Sequence, residues 1–282
     1  MPQTADTHEP DAATTPANVT TAEAEAFMRK RSLDDYTLLD VRQTWEYDEA
    51  HLPGARLVPL TELADRLGEV PRDKPVLTYC RSGGRSSAAA GLLAGQGYTA
   101  LNILGGITAW QGAAAEGGLD QGLSYLPAAA SMADILALAY AMEANLGDFY
   151  ARCASGEDEE AKAVLQRLAR FEEGHKAMVL RLARSHAPDV DEAALLARAR
   201  EITAVEGGYG PQEASARLCA VKATRRDVLE TAMAFEAQAL DLYLRATSRA
   251  ADLEAAAVLK ELAVEEKKHM AVVGRMLDRT PS

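Results

Sequence analysis

Residues 75–94, PVLTYCRSGGRSSAAAGLLA, contain the clearest indication of the fold of the first part of the chain. A short apolar run up to Tyr79 is typical of a buried strand, and a glycine-rich turn separates it from a helix-like segment that begins near Arg85. Further strand-like runs are residues 37–41, 55–60 and 100–104. The helix-like stretches between and around them are residues 21–30, 61–67, 85–94 and 107–113. This alternation predicts an α/β domain with a parallel sheet covered by helices on both faces.

The turn after the strand places a cysteine where its thiolate is stabilised. Cys80 ends the apolar run, and the backbone N–H groups of a glycine-rich turn and of a helix N-terminus converge on such a position. The two arginines of the turn add positive charge for an anionic substrate. We therefore predict Cys80 as a nucleophile. The predicted substrate-binding residues are Arg81, Ser82, Gly83, Gly84, Arg85 and Ser86.

The composition restricts the number of domains, the kinds of partner and the roles of the other cysteines. A chain of 282 residues suggests two domains, and a net charge of −12 argues against nucleic acid or an anionic membrane surface as a partner. Three cysteines are too few for a disulfide framework or a four-thiolate metal site, and Cys153 and Cys219 are interpreted as buried small side chains. The N-terminus lacks the features of a secretory signal, and no apolar run is long enough to span a bilayer, so we expect a cytoplasmic protein.

After about residue 117 the pattern becomes helical. Ser131 and Thr224 each precede an aspartate by three residues, which is a helix-start signal. Long helices are predicted from residue 131 and at residues 155–185, 224–248 and 250–277, with a short helix near residues 191–202 in the long connection. This order predicts a four-helix bundle with one long crossover. The predicted organisation is a disordered tail at 1–18, an α/β domain at 19–117, a linker at 118–130 and the bundle at 131–282.

The bundle segment contains an internal duplication. Residues 141–150 recur as residues 234–243, and residues 163–169 recur as residues 257–263. The segment therefore consists of a two-helix hairpin that occurs twice. In each copy the first helix carries a glutamate and the second carries Glu-x-x-His.

The repeated acids and histidines indicate a metal site. Residues three apart on a helix lie on one face, so all four helices can direct these side chains at one axis. A single Glu-x-x-His is usually a solvated helix face, but two copies with matching glutamates favour metal binding. Oxygen and imidazole donors without thiolates suit iron or manganese. Tyr150 and Tyr243 lie seven residues after Glu143 and Glu236, so their hydroxyls either reach this site or serve only the core.

Two resemblances support these interpretations. Residues 19–115 resemble the rhodanese family in the Cys80 loop, in Asp40-Val-Arg42, in Glu49-Ala-His51-Leu-Pro-Gly-Ala55 and in Leu104-Gly105-Gly106. That resemblance implies transfer of sulfane sulfur from a donor such as thiosulfate, through a Cys80 persulfide, to cyanide or a thiol. The related phosphatases have an arginine six positions after the cysteine, whereas Ser86 occupies that position here. Asp40 and Arg42 are interpreted as loop supports, and His51 as a packing or capping residue.

Residues 130–280 resemble the ferritin-like proteins, specifically the rubrerythrins. The resemblance implies two iron ions, with manganese as the alternative. The ligands it implies are Glu143, Glu172, His175, Glu236, Glu266 and His269. It also implies reaction with peroxide or oxygen. Because no rubredoxin-type pair of Cys-x-x-Cys motifs follows the bundle, an external electron donor is expected. A homodimer is a further expectation.

Three hypotheses for the whole chain remain open at this point. Both halves are enzymes that link sulfur handling to oxidative stress, or the di-iron bundle oxidises sulfur species that the rhodanese half delivers. In the third hypothesis the rhodanese half is a non-catalytic docking module on a di-iron peroxidase.

Overall fold

The chain divides between two units, and the structure, a computed structural model, describes residues 16–154, 159–218 and 223–280. The first unit comprises the chain up to Tyr47 together with Ala55–Gly112. The second comprises Asp48–Gly54 and the chain from Ala113 onwards.

The first unit is built on a parallel five-stranded sheet. The strands are β1 (Ala17–Val19), β2 (Thr37–Asp40), β3 (Arg56–Leu57), β4 (Val76–Tyr79) and β5 (Ala100–Ile103). Their order across the sheet is β1-β5-β4-β2-β3, and every pairing is parallel. All residues of β2 and β4 are buried, as expected for strands that are covered on both faces. The predicted parallel α/β architecture is confirmed.

Three helices accompany the sheet: α1 (Thr21–Arg29), α2 (Thr44–Glu49) and α3 (Gly84–Gly95). Two predicted helices are much shorter than expected. Residues 61–67 form turns that lead into a single 3₁₀ turn at Leu67–Glu69, and residues 107–113 reduce to the 3₁₀ turn Gly106–Ala109. The strand predicted at 55–60 is limited to Arg56–Leu57, although the N–H groups of Val58 and Leu60 still donate to the carbonyls of Asp40 and Val41 at 2.9 and 3.1 Å.

The predicted tail and linker both contain ordered structure. β1 begins at Ala17, inside the predicted tail 1–18, and pairs with β5; residues 1–15 lie outside the described residues. Within the predicted linker 118–130, the side chains of Leu123 and Leu126 are buried. The N–H of Ala130 donates to the carbonyl of Arg249 at 2.7 Å. The segment 118–130 is therefore a packed part of the second unit.

The second unit is helical. Its helices are α4 (Met132–Cys153), α5 (Glu159–His186), α6 (Glu192–Ala199), α7 (Pro211–Leu218), α8 (Arg225–Ala246) and α9 (Leu253–Leu277). α4 packs along α5, and α8 packs along α9. The capping boxes predicted at Ser131 and Thr224 are both formed, and α7 is a helix that the sequence pattern did not predict.

The interpretation of Cys153 as a buried small side chain is confirmed only in part. Cys153 packs partly buried against the core of the second unit, but it is disulfide-bonded and is not a free thiol. Cys219 lies outside the described residues. Among the described residues, no helix combines the length and the apolar character needed to cross a bilayer.

Candidate active site and candidate metal centre

Cys80 lies directly after β4, at the carboxyl edge of the parallel sheet. Its side chain is 1% exposed. The backbone N–H of Gly83 donates to Sγ at 3.1 Å, and the hydroxyl of Ser86 approaches Sγ at 3.5 Å. Gly83 adopts a positive φ of 100°, which turns the loop tightly enough for its amide to reach the sulfur. The predicted loop thus surrounds the predicted nucleophile.

The 3₁₀ turn after β5 supports this loop from behind. The N–H of Ile107 donates to the carbonyl of Cys80 at 2.9 Å, and the N–H of Thr108 donates to the carbonyl of Arg81 at 3.0 Å. A side chain at Gly106 would collide with the backbone of Cys80 and Arg81, so this close approach requires glycine.

The surroundings of the sulfur favour the thiolate. Burial alone would raise the pKa of the Cys80 thiol. Hydrogen bonds from the Ser86 side chain and from the backbone N–H groups of Ser86, Ser82 and Gly83 outweigh that effect and lower the pKa below its ordinary value. Since the thiolate is the reactive form of cysteine, the loop prepares Cys80 for nucleophilic attack.

The two predicted arginines lie in different environments. Both terminal nitrogens of Arg85 bond to the carboxylate of Glu46 at 2.6 Å, and this contact lowers the pKa of Glu46 to about 2. Arg81 is exposed. The positive charge of Arg85 is therefore largely balanced, while Arg81 remains open to an anion. Glu46 was not predicted as a site residue.

A polar network behind the nucleophile was also missed. The Ser86 hydroxyl lies 2.7 Å from Oδ1 of Asn102, whose amide nitrogen donates to Oδ1 of Asn18 at 2.8 Å. Asn18 lies in the segment predicted as tail. A polar residue inside a strand-like run, such as Asn102, is the only sequence signal that could have indicated this network.

Asp40 and Arg42 form a buried ion pair. Nε of Arg42 lies 3.0 Å from both carboxylate oxygens of Asp40, and a terminal nitrogen lies 2.6 Å from Oδ2. The guanidinium also lies 5.5 Å from the ring centroid of Tyr79, the residue before Cys80. This geometry agrees with the interpretation of the pair as support for the loop.

His51 belongs to the segment Asp48–Gly54 of the second unit. Its side chain is fully buried, and Nε2 lies 3.2 Å from Oδ2 of Asp241 on α8. Nε of Arg245 contacts the same oxygen at 2.6 Å, and the N–H of Gly54 donates to Oδ1 at 2.9 Å. His51 thus packs and anchors its segment, as interpreted from the sequence.

The six predicted metal ligands come together inside the second unit as two matching groups. In the first, Nδ1 of His175 lies 2.7 Å from Glu172 and 3.1 Å from Glu143. In the second, Nδ1 of His269 lies 3.0 Å from Glu266 and 3.3 Å from Glu236. The two groups consist of equivalent residues of the duplicated hairpin.

The carboxylates of these groups are buried and only partly bonded. Glu143, Glu172 and Glu266 are at most 1% exposed, and among the described residues Oε1 of Glu143 and of Glu266 has no hydrogen-bond partner. Burial, followed by the neighbouring carboxylates, raises the pKa of Glu266 well above its usual range. Burial also opposes the charging of His175, but its hydrogen bonds to Glu143 and Glu172 raise its pKa to about 10. Buried acids with unbonded oxygens beside imidazole nitrogens are a donor set that fits cations such as Fe²⁺ or Mn²⁺.

Three further groups lie close to this centre. Glu206 is buried, and one of its oxygens lies within 4.8 Å of oxygens of Glu143 and Glu266. The hydroxyls of Tyr150 and Tyr243 are buried and have no hydrogen-bond partner in the part of the chain that the structure describes. Burial, together with the surrounding carboxylates, raises the pKa of both phenols. Glu206 was not predicted; a single acid in the mainly apolar stretch 204–209 was the available signal.

The first unit is therefore a parallel α/β domain in which a buried cysteine lies in an amide-lined loop at the carboxyl edge of the sheet. Residues 20–113 match the family described as the rhodanese-like domain. The chain belongs to this family through that region.

Two curated relatives and one solved structure illustrate the similarity. A protein named sulfurtransferase from Allochromatium vinosum is 40% identical over 83 residues, which cover 29% of this chain and 78% of the relative. The putative sulfurtransferase YtwF of Bacillus subtilis is 32% identical over 79 residues, covering 28% of this chain and 77% of the relative. A crystal structure of a rhodanese-like domain protein from Staphylococcus aureus is 26% identical with a TM-score of 0.32, covering 33% of this chain and 90% of that one.

Proposed function

We propose that the first unit is a sulfurtransferase that carries sulfane sulfur as a persulfide on Cys80. The observation that carries this proposal is the geometry at Sγ of Cys80. The sulfur accepts a hydrogen bond from the Gly83 N–H at 3.1 Å, and the pKa of the Cys80 thiol is lowered. Relatives named sulfurtransferases support the same activity.

The chemistry proceeds in two displacements at sulfur. The Cys80 thiolate attacks the sulfane sulfur of a donor such as thiosulfate, the sulfur–sulfur bond of the donor breaks, and sulfite leaves with the bonding electrons. Cyanide or a thiol then attacks the terminal sulfur of the persulfide, and Cys80 is released as a thiolate. Arg81 and the loop amides bind the anionic donor, and the amides stabilise the charge on the terminal sulfur of the persulfide.

Thiocyanate formation from thiosulfate and cyanide tests this assignment. We expect activity in the wild-type chain and none in Cys80→Ser, with a mass increase of one sulfur atom on Cys80 after thiosulfate treatment. Undiminished activity in Cys80→Ser would refute the nucleophile. An active loop without a detectable persulfide would refute the covalent route, and the absence of both activity and persulfide would favour the docking-module hypothesis.

We also propose that the second unit is a ferritin-like, rubrerythrin-type domain that holds two iron ions, with manganese as the alternative. The duplicated Glu and Glu-x-x-His set and its unbonded buried oxygens support this proposal. The residues that would hold the metal are Glu143, Glu172, His175, Glu236, Glu266 and His269.

Bound iron would supply the two electrons that reduce peroxide to water, and an external donor would restore them. The chain's own contribution is to keep the site dry and anionic. The buried carboxylates balance the charge of two divalent cations, and the surrounding helices exclude bulk water.

Metal analysis of anaerobically purified full-length protein tests this second proposal. We expect two iron or manganese ions per chain in the wild type, and a large loss in the double variant Glu266→Ala, His269→Ala. Equal metal content in the two proteins would refute the di-metal assignment.

A further inference from the structure

We propose that Glu206 is a further metal-ligating carboxylate, supplied by the long connection between the two helical hairpins. This inference rests on the proposed di-metal site and extends it to five carboxylates and two histidines. The connection occurs once in the chain, so the hairpin duplication provides no counterpart of Glu206. The two halves of the site are therefore unequal.

The burial of Glu206 is the first observation. Its side chain is 1% exposed, and Oε1 accepts no hydrogen bond within the described part of the chain. No described lysine or arginine forms an ion pair with it; the acids Glu143 and Glu266 lie nearest, and Glu236 and Glu172 also repel its charge. An isolated buried carboxylate costs several kcal/mol, and placing it beside two others increases that cost. A bound cation would offset this cost.

The position of Glu206 is the second observation. One of its oxygens lies within 4.8 Å of oxygens of both Glu143 and Glu266, and these two acids come from different hairpins. Glu143 lies on α4 and Glu266 on α9, so Glu206 adds a donor at the point where the two half-sites meet. It is the only acid of the connection that the structure brings into one of these described clusters.

The backbone that carries Glu206 is held on both sides. Asn145 on α4, two residues after Glu143, donates from its amide to the carbonyls of Ile202 at 2.9 Å and Ala204 at 2.7 Å. Gln238 on α8, two residues after Glu236, accepts the hydroxyl of Tyr209 at 3.2 Å.

Asn145 and Gln238 are equivalent residues of the duplicated hairpin. The first helix of each hairpin, which provides Glu143 or Glu236, therefore also holds one end of the Glu206 turn. The turn itself needs glycine, because Gly207 has a φ of 72° and a side chain there would collide with Gln238. A carboxylate held this firmly at the site has the preorganisation that a metal ligand needs.

The additional negative charge of Glu206 affects which oxidation state of the metal ions the site favours. Four carboxylates balance two divalent cations, whereas five leave one excess negative charge with divalent ions and suit ions of higher charge. Glu206 therefore stabilises the oxidised, trivalent form of a di-iron site relative to the reduced form.

Anaerobic Fe²⁺ titration of the full-length protein tests the proposal, with Glu206→Gln as the variant and Glu201→Gln as the control. Glu201 lies on the same connection and is exposed, so the control makes the same change of charge away from the site. We expect Glu206→Gln to weaken at least one Fe²⁺ affinity about tenfold or more and to raise the reduction potential, and Glu201→Gln to change neither. Without metal, Glu206→Gln should unfold at the same or a higher temperature, because it removes an unpaired buried acid.

The outcomes separate this inference from the proposal on which it rests. If the wild type binds no metal, the di-metal proposal fails and this inference fails with it. If the wild type binds two ions and Glu206→Gln matches it in affinity and potential, only the role of Glu206 is overturned. Should Glu206→Gln not fold, Glu206→Asp is the second variant, because it keeps the charge but shortens the side chain by one methylene. If the iron-loaded Glu206→Asp protein has an electron paramagnetic resonance spectrum identical to that of the iron-loaded wild type, the inference is overturned.

Discussion

The imidazole rings of His175 and His269 stack face to face, with their centroids 3.6 Å apart and their planes 8° from parallel. Each ring belongs to one copy of the duplicated hairpin, and each Nδ1 faces the carboxylates of its own copy. The stack therefore joins two half-sites that lie almost one hundred residues apart in the sequence into one buried cluster.

His175→Ala removes the nitrogen donor of one half-site only. We expect bound iron to fall from about two ions to about one ion per chain, because the donors of the other half-site remain. Metal analysis by mass spectrometry measures the change. His186→Ala is the control, since His186 lies on the same helix and faces the exposed acids Glu254 and Glu261. Unchanged iron in His175→Ala would contradict its assignment as a ligand.

Ser86→Ala removes a hydrogen bond that favours the Cys80 thiolate. Because one hydrogen bond contributes about 1 kcal/mol, we expect sulfur transfer at neutral pH to slow about fivefold and the acid limb of the pH–rate profile to move to higher pH. Thiocyanate formation measured across the pH range tests this. The exposed neighbour Ser87→Ala should leave the profile unchanged. A profile in Ser86→Ala that matches the wild type would show that the backbone amides alone set the thiol pKa.

Glu46→Gln breaks the contact with Arg85 and makes the stability of the first unit less dependent on pH. Glu46 has a pKa of about 2 in the folded chain, below its ordinary value of 4.5, so its stabilisation is present above pH 4.5 and is lost as the pH falls through 2. We expect Glu46→Gln to lower the free energy of unfolding by about 1–2 kcal/mol at pH 7, after allowing for solvent around Arg85, and the difference to vanish near pH 2.

Tryptophan fluorescence during urea unfolding measures this effect in the first unit, since Trp45 and Trp110, the two tryptophans of the chain, both belong to it. Glu49→Gln is the control on the same helix, because Glu49 is exposed. A constant difference between wild type and Glu46→Gln from pH 7 to pH 2 would refute the electrostatic explanation.

Asp241→Asn and Asp148→Asn change equivalent residues of the duplicated hairpin but should differ in effect. Asp241 is fully buried between His51 and Arg245, whereas Asp148 is exposed. We expect Asp241→Asn to lower the unfolding free energy of the second unit by about 3 kcal/mol, because it leaves Arg245 without its buried partner, and Asp148→Asn to have almost no effect. Far-ultraviolet circular dichroism of the metal-free protein measures the unfolding free energy of both variants. Equal stability of the two variants would contradict this role of Asp241.

Much of the fold could be predicted because it follows from local patterns. The apolar run before Cys80 identified β4, and serine or threonine three residues before an aspartate located the starts of α4 and α8. The helix predicted at 61–67 was wrong, since the chain forms hydrogen-bonded turns from Pro59 onwards instead. β1 was missed because three residues without a strong apolar pattern become a strand only by pairing with β5.

The residues of the two candidate sites likewise divide into those that local patterns predict and those that they do not. Cys80 could be identified because it lies in a glycine-rich turn directly after an apolar run. The glutamates and histidines could be identified because each Glu-x-x-His pair shares one helix face by its spacing and the whole set is repeated in the chain. Asn102 and Glu46 could not be identified, since each acts through a residue distant in the sequence.

The order of the residues alone identifies which side chains are capable of chemistry: a cysteine at a glycine-rich turn after a strand, and a carboxylate–histidine set repeated at a nearly constant interval. The packing of distant segments sets how equivalent residues differ and which other groups join them. It buries Asp241 and exposes Asp148, and it brings Glu206 from the connection to Glu143 and Glu266. The physical reason is that periodicity encodes the face of a helix, whereas the contacts made by that face depend on how distant segments pack against it.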